Sequence, residues 1–258
     1  MNFFFGFKDN LFSSELKIPK FNFRGARLDG YKLFAAEPAN DIWNITALEL
    51  EEDQNFFFVN KNEINNKKIF FLYKKKVNDL NLRNNTLQEL INFDNQFDKE
   101  LVQFRSNLKL TYKNEGFSSY QSDYSYNMTT KKGNILSPVS SLLDINAENN
   151  FIIFKNINNY PVINNFNYYF ICYEMKKILH KGQIKSNFSN KINVHKEWIK
   201  KSVYFFTDQL IGIPIFVSIN KGHLSLEHTH PPHQYILSQD CFNIINSLKK
   251  EFNQIINK

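Results

Sequence analysis

Four of the six histidines in the chain fall within the eleven residues from 223 to 233. Neutral imidazole nitrogens bind Zn, Fe, Ni or Cu, and imidazole also titrates nearer to neutral pH than other side chains. The cluster therefore predicts a transition-metal site or acid–base chemistry. The alternative without chemistry is a set of histidines that are merely hydrogen-bonded at the end of a strand. The cluster consists of His223, His228, His230 and His233.

The spacing of His228 and His230 predicts that both rings lie on one face of a strand. Residues 211–230 have the pattern of a β-hairpin whose three-residue loop is Asn-Lys-Gly. Side chains two positions apart share a face, so both imidazoles lie on the side of the two preceding leucines and point toward the apolar interior. Two prolines then end the strand and hold His233 in a turn.

We expect His228 and His230 to bind a divalent transition metal, Zn or Fe. The third ligand would be His233, Glu227 or a residue distant in the sequence. Three protein ligands and one open position are typical of catalytic metal sites. Such an ion would activate water or polarise an oxygen of the substrate. We assign His228, His230 and Asp123 as catalytic residues.

A second candidate site is the polar and aromatic segment 117–128. As one strand it places Tyr120 and Tyr124 on one face, and Gln121 and Asp123 on the other. Flat aromatic faces beside hydrogen-bonding groups suit a sugar, although a solvated edge strand has the same pattern. We therefore predict that Tyr120, Gln121 and Tyr124 bind substrate.

Arginine is scarce in this chain, with four arginines among the 32 basic residues. A planar guanidinium suits two-point binding of an anion, so we assign Arg105 to an anionic group of the substrate. For Arg24 and Arg27 we expect salt bridges with the acidic residues between 49 and 53.

The elements that position these residues are mostly short strands, rich in aromatic and β-branched residues and separated by turn signals. Their spacing favours a sandwich or a barrel. Apolar residues three and four apart predict one C-terminal helix over about 240–256, with Asp240 as its N-cap. The predicted class is α+β and β-rich: antiparallel sandwich or barrel-like sheets with the C-terminal helix packed on a sheet, in a single domain of residues 1–258. The predicted strands are 31–37, 42–50, 56–59, 68–73, 105–112, 117–128, 151–157, 167–175, 200–207 and 211–219.

The overall composition limits the classes of function. The net charge is +7, which we attribute to a codon bias toward lysine on a solvated surface. The densest lysines, at 67–68 and 74–76, flank an apolar strand, as gatekeeper lysines also do, so we expect a small molecule or a glycan as partner in preference to a nucleic acid. Eight glycines and the absence of a glycine-rich phosphate motif argue against nucleotide-loop folds. Two cysteines and the lack of a long apolar run predict a soluble, cytoplasmic protein without a membrane segment.

The sequence thus leads to two main hypotheses about function, with nucleic-acid binding through the lysine surface as a third, weaker one. The first is a metal-dependent enzyme that acts on a small, oxygen-rich substrate, such as a carbohydrate, at the His-x-His site. The second is a non-catalytic β-rich module that binds glycans or proteins. The sequence does not indicate the oligomeric state.

Overall fold

The structure is a computed structural model that describes residues 1–22, 24–49, 51–74, 85–92, 105–113, 115–228 and 240–258. Within these ranges the chain forms four antiparallel sheets and a C-terminal helix, and the sheets do not close into a barrel. This confirms the predicted β-rich α+β class. Among the same residues no helix is both long and apolar enough to cross a membrane.

The chain forms two compact units. The first unit comprises Met1–Lys131, Lys155–Ile163 and Ser186–Ser189, and the second comprises Lys132–Phe154, Asn164–Lys185 and Asn190–Lys258. The single domain over residues 1–258 stays a prediction.

The first unit contains two sheets, and two strands of the larger sheet, Asn2–Phe5 and Ile69–Tyr73, are buried along their whole length. Their short runs of phenylalanine and isoleucine have apolar residues on both faces, so neither face suits solvent. The elements are β1 (Asn2–Phe5), β2 (Phe12–Pro19), β3 (Lys32–Ala39), β4 (Ile42–Ala47), β5 (Phe56–Val59), β6 (Ile69–Tyr73), α1 (Gln88–Asn92), β7 (Asn107–Tyr112), β8 (Gly116–Tyr120), β9 (Asp123–Ser125) and α2 (Tyr126–Thr129). The five-stranded sheet has the order β4-β3-β6-β1-β9, and the four-stranded sheet has the order β5-β2-β7-β8.

The second unit contains two four-stranded sheets with the orders β10-β15-β12-β13 and β14-β11-β16-β17, except for the strand-end residues Lys155 and Ser189, which belong to the first unit. One buried cluster draws side chains from both sheets, and Phe154 of one lies 6.0 Å from Phe205 of the other, measured between ring centroids. The sheets therefore form the predicted sandwich. The elements are β10 (Leu136–Pro138), β11 (Asn149–Lys155), β12 (Asn165–Cys172), β13 (Lys177–Lys185), β14 (Ser189–Asn193), a 3-10 helix (Lys196–Trp198), β15 (Val203–Thr207), β16 (Ile213–Asn220), β17 (His223–Glu227) and α3 (Cys241–Ile256).

Helix α3 covers the outer face of the β10-β15-β12-β13 sheet, as predicted. Phe252 is 1% exposed, and its ring centroid lies 5.3 Å from that of Tyr204 and 5.6 Å from that of Phe206. Asp240 occupies the N-cap position, but its side chain makes no capping hydrogen bond. Phe242 belongs to the predicted apolar stripe and is nevertheless 61% exposed, since it lies in the first turn of the helix.

The segment predicted as one strand over 117–128 is broken in the structure. Strand β8 pairs with β7 in one sheet, and β9 pairs with β1 in the other sheet of the first unit. Between them the chain changes sheet, and the Ser122 carbonyl accepts a hydrogen bond from the Phe5 amide at 3.2 Å. The predicted division of this segment into two opposite faces therefore does not hold.

Candidate functional site

The predicted histidine hairpin exists, with a shorter loop than expected. Strands β16 and β17 pair directly up to Asn220 and His223, which leaves a two-residue turn instead of three. The turn residues Lys221 and Gly222 have φ values of +49° and +79°. Positive φ at both positions is typical of a type I′ turn, whose twist matches that of the flanking strands.

Burial along β17 follows the predicted alternation of faces. His223 and Glu227 are exposed, whereas Leu226 is 8% exposed and His228, just after the strand, is half-buried. His230 and His233 lie outside the described residues. In the part of the chain that the structure describes, no three His, Cys, Asp or Glu side chains are grouped so as to hold a metal ion. The metal site of His228, His230 and His233 therefore stays a prediction.

The predicted substrate-binding residues lie at different depths in the first unit. Tyr124 is fully buried, and burial raises the pKa of its phenol, while hydrogen bonds with the Ile157 backbone and the Asn156 side chain oppose that rise. Tyr120 and Gln121 are half-buried at the corner between β8 and β9. The change of sheet between β8 and β9 therefore places the Tyr124 side chain in the core, whereas those of Tyr120 and Gln121 stay partly exposed.

The structure brings two of the predicted residues, Arg105 and Asp123, close together. The hydroxyls of their neighbours Ser106 and Ser122 lie 2.8 Å apart. Burial raises the pKa of the Asp123 carboxyl, opposed by its own backbone amide, by the charge of Arg105 and by the Ser106 amide. Within the described residues, Asp123 Oδ1 is buried without a hydrogen-bond partner. The positive charge of Arg105 therefore stabilises the charged form of Asp123, but it does not fully offset the effect of burial.

Arg105 also borders a groove of about 580 Å³ in the first unit, which we call the Phe56 groove. Its volume lies in the range typical of small-molecule sites. Strands β2 and β5, the beginning of β7 and the loop that follows β2 form its walls. The lining residues are Lys17, Pro19, Phe21, Gly25, Phe56, Arg105 and Asn107.

The loop that follows β2 is fixed by the side chain of Asn22. Its Oδ1 accepts hydrogen bonds from the amides of Arg24 and Ala26, both at 2.9 Å. The Gly25 amide donates to the Asn22 carbonyl, also at 2.9 Å, and Gly25 has a φ of +80°. A left-handed residue is needed to close this turn, and glycine adopts that conformation without strain. The groove wall formed by Gly25 is thereby held in place.

The two cations of the groove differ from their neighbours in pairing. Among described residues, neither Lys17 nor Arg105 has a carboxylate oxygen within 4.0 Å, whereas Lys20 pairs with Glu52 at 3.0 Å. The Lys17 ammonium lies over the Phe56 ring, 4.1 Å from its centroid. The groove therefore combines aromatic surface with cationic groups that can bind an anion.

Sequence reasoning found Arg105 but missed the rest of the groove. Phe56 and Lys17 are brought together by the pairing of β2 with β5, in which Lys17 lies opposite Phe58. The predicted salt bridges of the arginines were also misplaced in part, because Arg27 pairs with Asp29 at 3.0 Å. The one local signal was the Asn22–Gly25 turn, whose residue types are typical of turns.

Comparison with protein-family models, with curated proteins and with solved structures finds no match to this chain. The chemistry of the Phe56 groove and of the histidine hairpin is therefore the basis for a proposed function.

Proposed function

We propose that the chain is a non-catalytic binding module that holds a sugar-containing small molecule in the Phe56 groove. The observation that carries the proposal is the combination, in one concave site, of aromatic surface, an amide side chain and two cations that have no carboxylate oxygen within 4.0 Å among the described residues. Small-molecule sites are mainly apolar concavities with a few polar groups that orient the ligand.

The two kinds of surface in the groove match the two kinds of surface on a sugar. Pro19, Phe21 and Phe56 offer apolar area to the C–H faces of a pyranose ring. Asn107, which is exposed and begins β7, offers both a donor and an acceptor for hydroxyl groups. This arrangement supports the glycan-binding hypothesis, at a site different from the tyrosine strand that the sequence suggested.

Saturation-transfer NMR with N-acetylglucosamine and N-acetylglucosamine 6-sulfate tests this proposal. We expect at least one of the two sugars to receive saturation from the wild-type protein and to lose it in F56A. The matched control is F117A, because Phe117 is a 63% exposed ring of the same sheet with a lysine ammonium 5.0 Å above it, but outside the groove. Absence of transfer to both sugars, or equal loss in F117A, would refute the proposal.

The histidine hairpin supports a second candidate, the metal-dependent enzyme. The favouring observation is that His228 follows the buried side of β17, whereas His223 lies on the exposed side. Protein purified without a tag is expected to hold about one Zn or Fe ion per chain, to lose it in H228A and to keep it in H223A. Metal content near zero in the wild type, or equal loss in both variants, would refute this candidate.

A further inference from the structure

We infer that the Phe56 groove selects sugars that carry one anionic group, which binds between Lys17 and Arg105. The class of ligand is a sulfated, phosphorylated or carboxylated monosaccharide or disaccharide. This inference rests on the proposed function and adds the charge and the size of the ligand.

Lys17 keeps N–H donors that an anionic ligand can use. Its ammonium contacts the faces of two rings, 4.1 Å from the centroid of Phe56 and 5.7 Å from that of Phe58. A cation held over a ring face still has N–H groups directed away from the ring, and an ammonium has three donors. An anionic oxygen at the mouth of the groove can therefore bind Lys17 without displacing it from Phe56.

Arg105 is the second cation of the groove that can bind the anionic group of the ligand. Its guanidinium is exposed and offers five N–H donors in a planar fork that matches the geometry of sulfate, phosphate or carboxylate. The neighbouring acid, Asp123, forms no ion pair with it within 4.0 Å, and burial disfavours the charged form of that acid. The positive charge of Arg105 is therefore available to a ligand.

A carboxylate beside the groove limits the length of the ligand. Asp53 lies just before Phe56 and accepts hydrogen bonds from the amides of Asn55 and Phe56, both at 2.7 Å. These amides, that of Asn55 first, and then the charges of Lys17 and Lys20 lower the pKa of the Asp53 carboxyl and keep it charged, although some burial opposes them. Glu52 stands beside it, paired with Lys20. A long polyanion leaving the groove on this side meets the charged carboxylate of Asp53, so one short anionic sugar is favoured over a nucleic-acid strand.

The experiment compares the affinities of N-acetylglucosamine and N-acetylglucosamine 6-sulfate by NMR titration at low and high salt. Hydrogen bonds to a charged group typically contribute about 1.5–3 kcal/mol, so we expect the sulfated sugar to bind about 10-fold to 100-fold more tightly. We expect that advantage to shrink at high salt. In K17Q and in R105Q the advantage of the sulfated sugar over the neutral sugar, measured as the ratio of the two affinities, should largely disappear.

The matched control is K109Q. Lys109 also lies over a phenylalanine ring of the same sheet, but it pairs with Glu15 at 3.2 Å and does not border the groove. This variant should keep the full preference for the sulfated sugar, and the amide spectrum of each variant should show that it is folded.

The outcomes separate this inference from the proposed function. Equal binding of both sugars to the wild type overturns the inference and leaves sugar binding standing. Binding of neither sugar overturns both. Tighter binding of hexathymidylate than of the sulfated sugar, lost in K17Q and R105Q, would show a nucleic-acid site and also overturn the inference.

Discussion

Replacing Lys155 by methionine should remove a pH dependence that the stability of the wild-type protein carries above neutral pH. Lys155 has no exposed surface, and its ammonium group donates one hydrogen bond, to the Asn66 carbonyl at 3.2 Å. Burial lowers the pKa of this amine from 10.5 to about 7, although the charge of Glu37 opposes the effect. Above pH 7 the folded protein therefore holds this amine mainly in the neutral form, whereas the unfolded chain keeps it charged up to about pH 10.5.

The sign and size of the effect follow from that pKa. Between pH 7 and 10.5 the unfolded chain binds the proton that the folded protein has released, so the free energy of unfolding rises with pH. Below pH 7 the amine is charged in both states and the cost of burial is present in full. At about 1.4 kcal/mol per pH unit, the whole shift corresponds to about 5 kcal/mol. From pH 7 to pH 9 the expected gain is about 2–3 kcal/mol.

Urea denaturation at pH 7, 8 and 9 measures this contribution as the difference between the wild type and K155M. The variant should be the more stable at pH 7, because an apolar side chain replaces a poorly compensated buried cation, and the difference should narrow as the pH rises. The control is K61M, which removes an exposed lysine of the same unit and should parallel the wild type. A difference between the wild type and K155M that stays constant from pH 7 to pH 9 would refute the reasoning.

Three further predictions test the packing and a turn of the two units by thermal or urea denaturation. G182A places a Cβ 2.5 Å from the Tyr168 ring on the paired strand and should destabilise by about 1–3 kcal/mol, an effect that should nearly vanish in a Y168A background. F252A should lower the free energy of unfolding by about 3–5 kcal/mol, because Phe252 is buried, whereas F242A should change it by no more than about 0.5 kcal/mol, because Phe242 is exposed. Similar losses in the two variants would contradict the packing of α3. G25A meets no atom within 4 Å but forces alanine to a φ of +80°, so it should cost about 1–2 kcal/mol, and an unchanged midpoint would contradict the turn.

The sequence predicted best those strands whose apolar residues are locally dense. The strand predicted at 56–59 matches β5 in both bounds, and the one predicted at 68–73 differs from β6 by one residue. It missed β1, although that strand is apolar and fully buried, and it missed β13, which carries lysines along an edge of its sheet. Edge strands are solvated and often protected by lysine, so they lack the apolar enrichment on which strand prediction depends.

The candidate site was less predictable because it depends on pairing between distant strands. The side chain of Arg105 could be singled out by its rarity, but its approach to Asp123 follows from the corner at Ser106 and Ser122, 16 residues apart in sequence. Lys17 carries no local signal at all, and only the register of β2 against β5 gives it an aromatic neighbour. Register between non-adjacent strands is set by long-range packing, which no short pattern reveals.

The first unit is discontinuous along the chain, and this has a consequence for biosynthesis. The Ser189 amide donates to the Asn66 carbonyl at 2.7 Å, and its hydroxyl donates to the Gly6 carbonyl at 2.9 Å. A nascent chain that has left the ribosome only as far as Lys131 therefore lacks the two Ser189 groups that donate to the Gly6 and Asn66 carbonyls. Completion of this unit must await translation through Ser189, by which time two of the three segments of the second unit, Lys132–Phe154 and Asn164–Lys185, have also been synthesised. Proteolytic removal of everything beyond Lys131 would accordingly release an unfinished fragment, not an autonomous module.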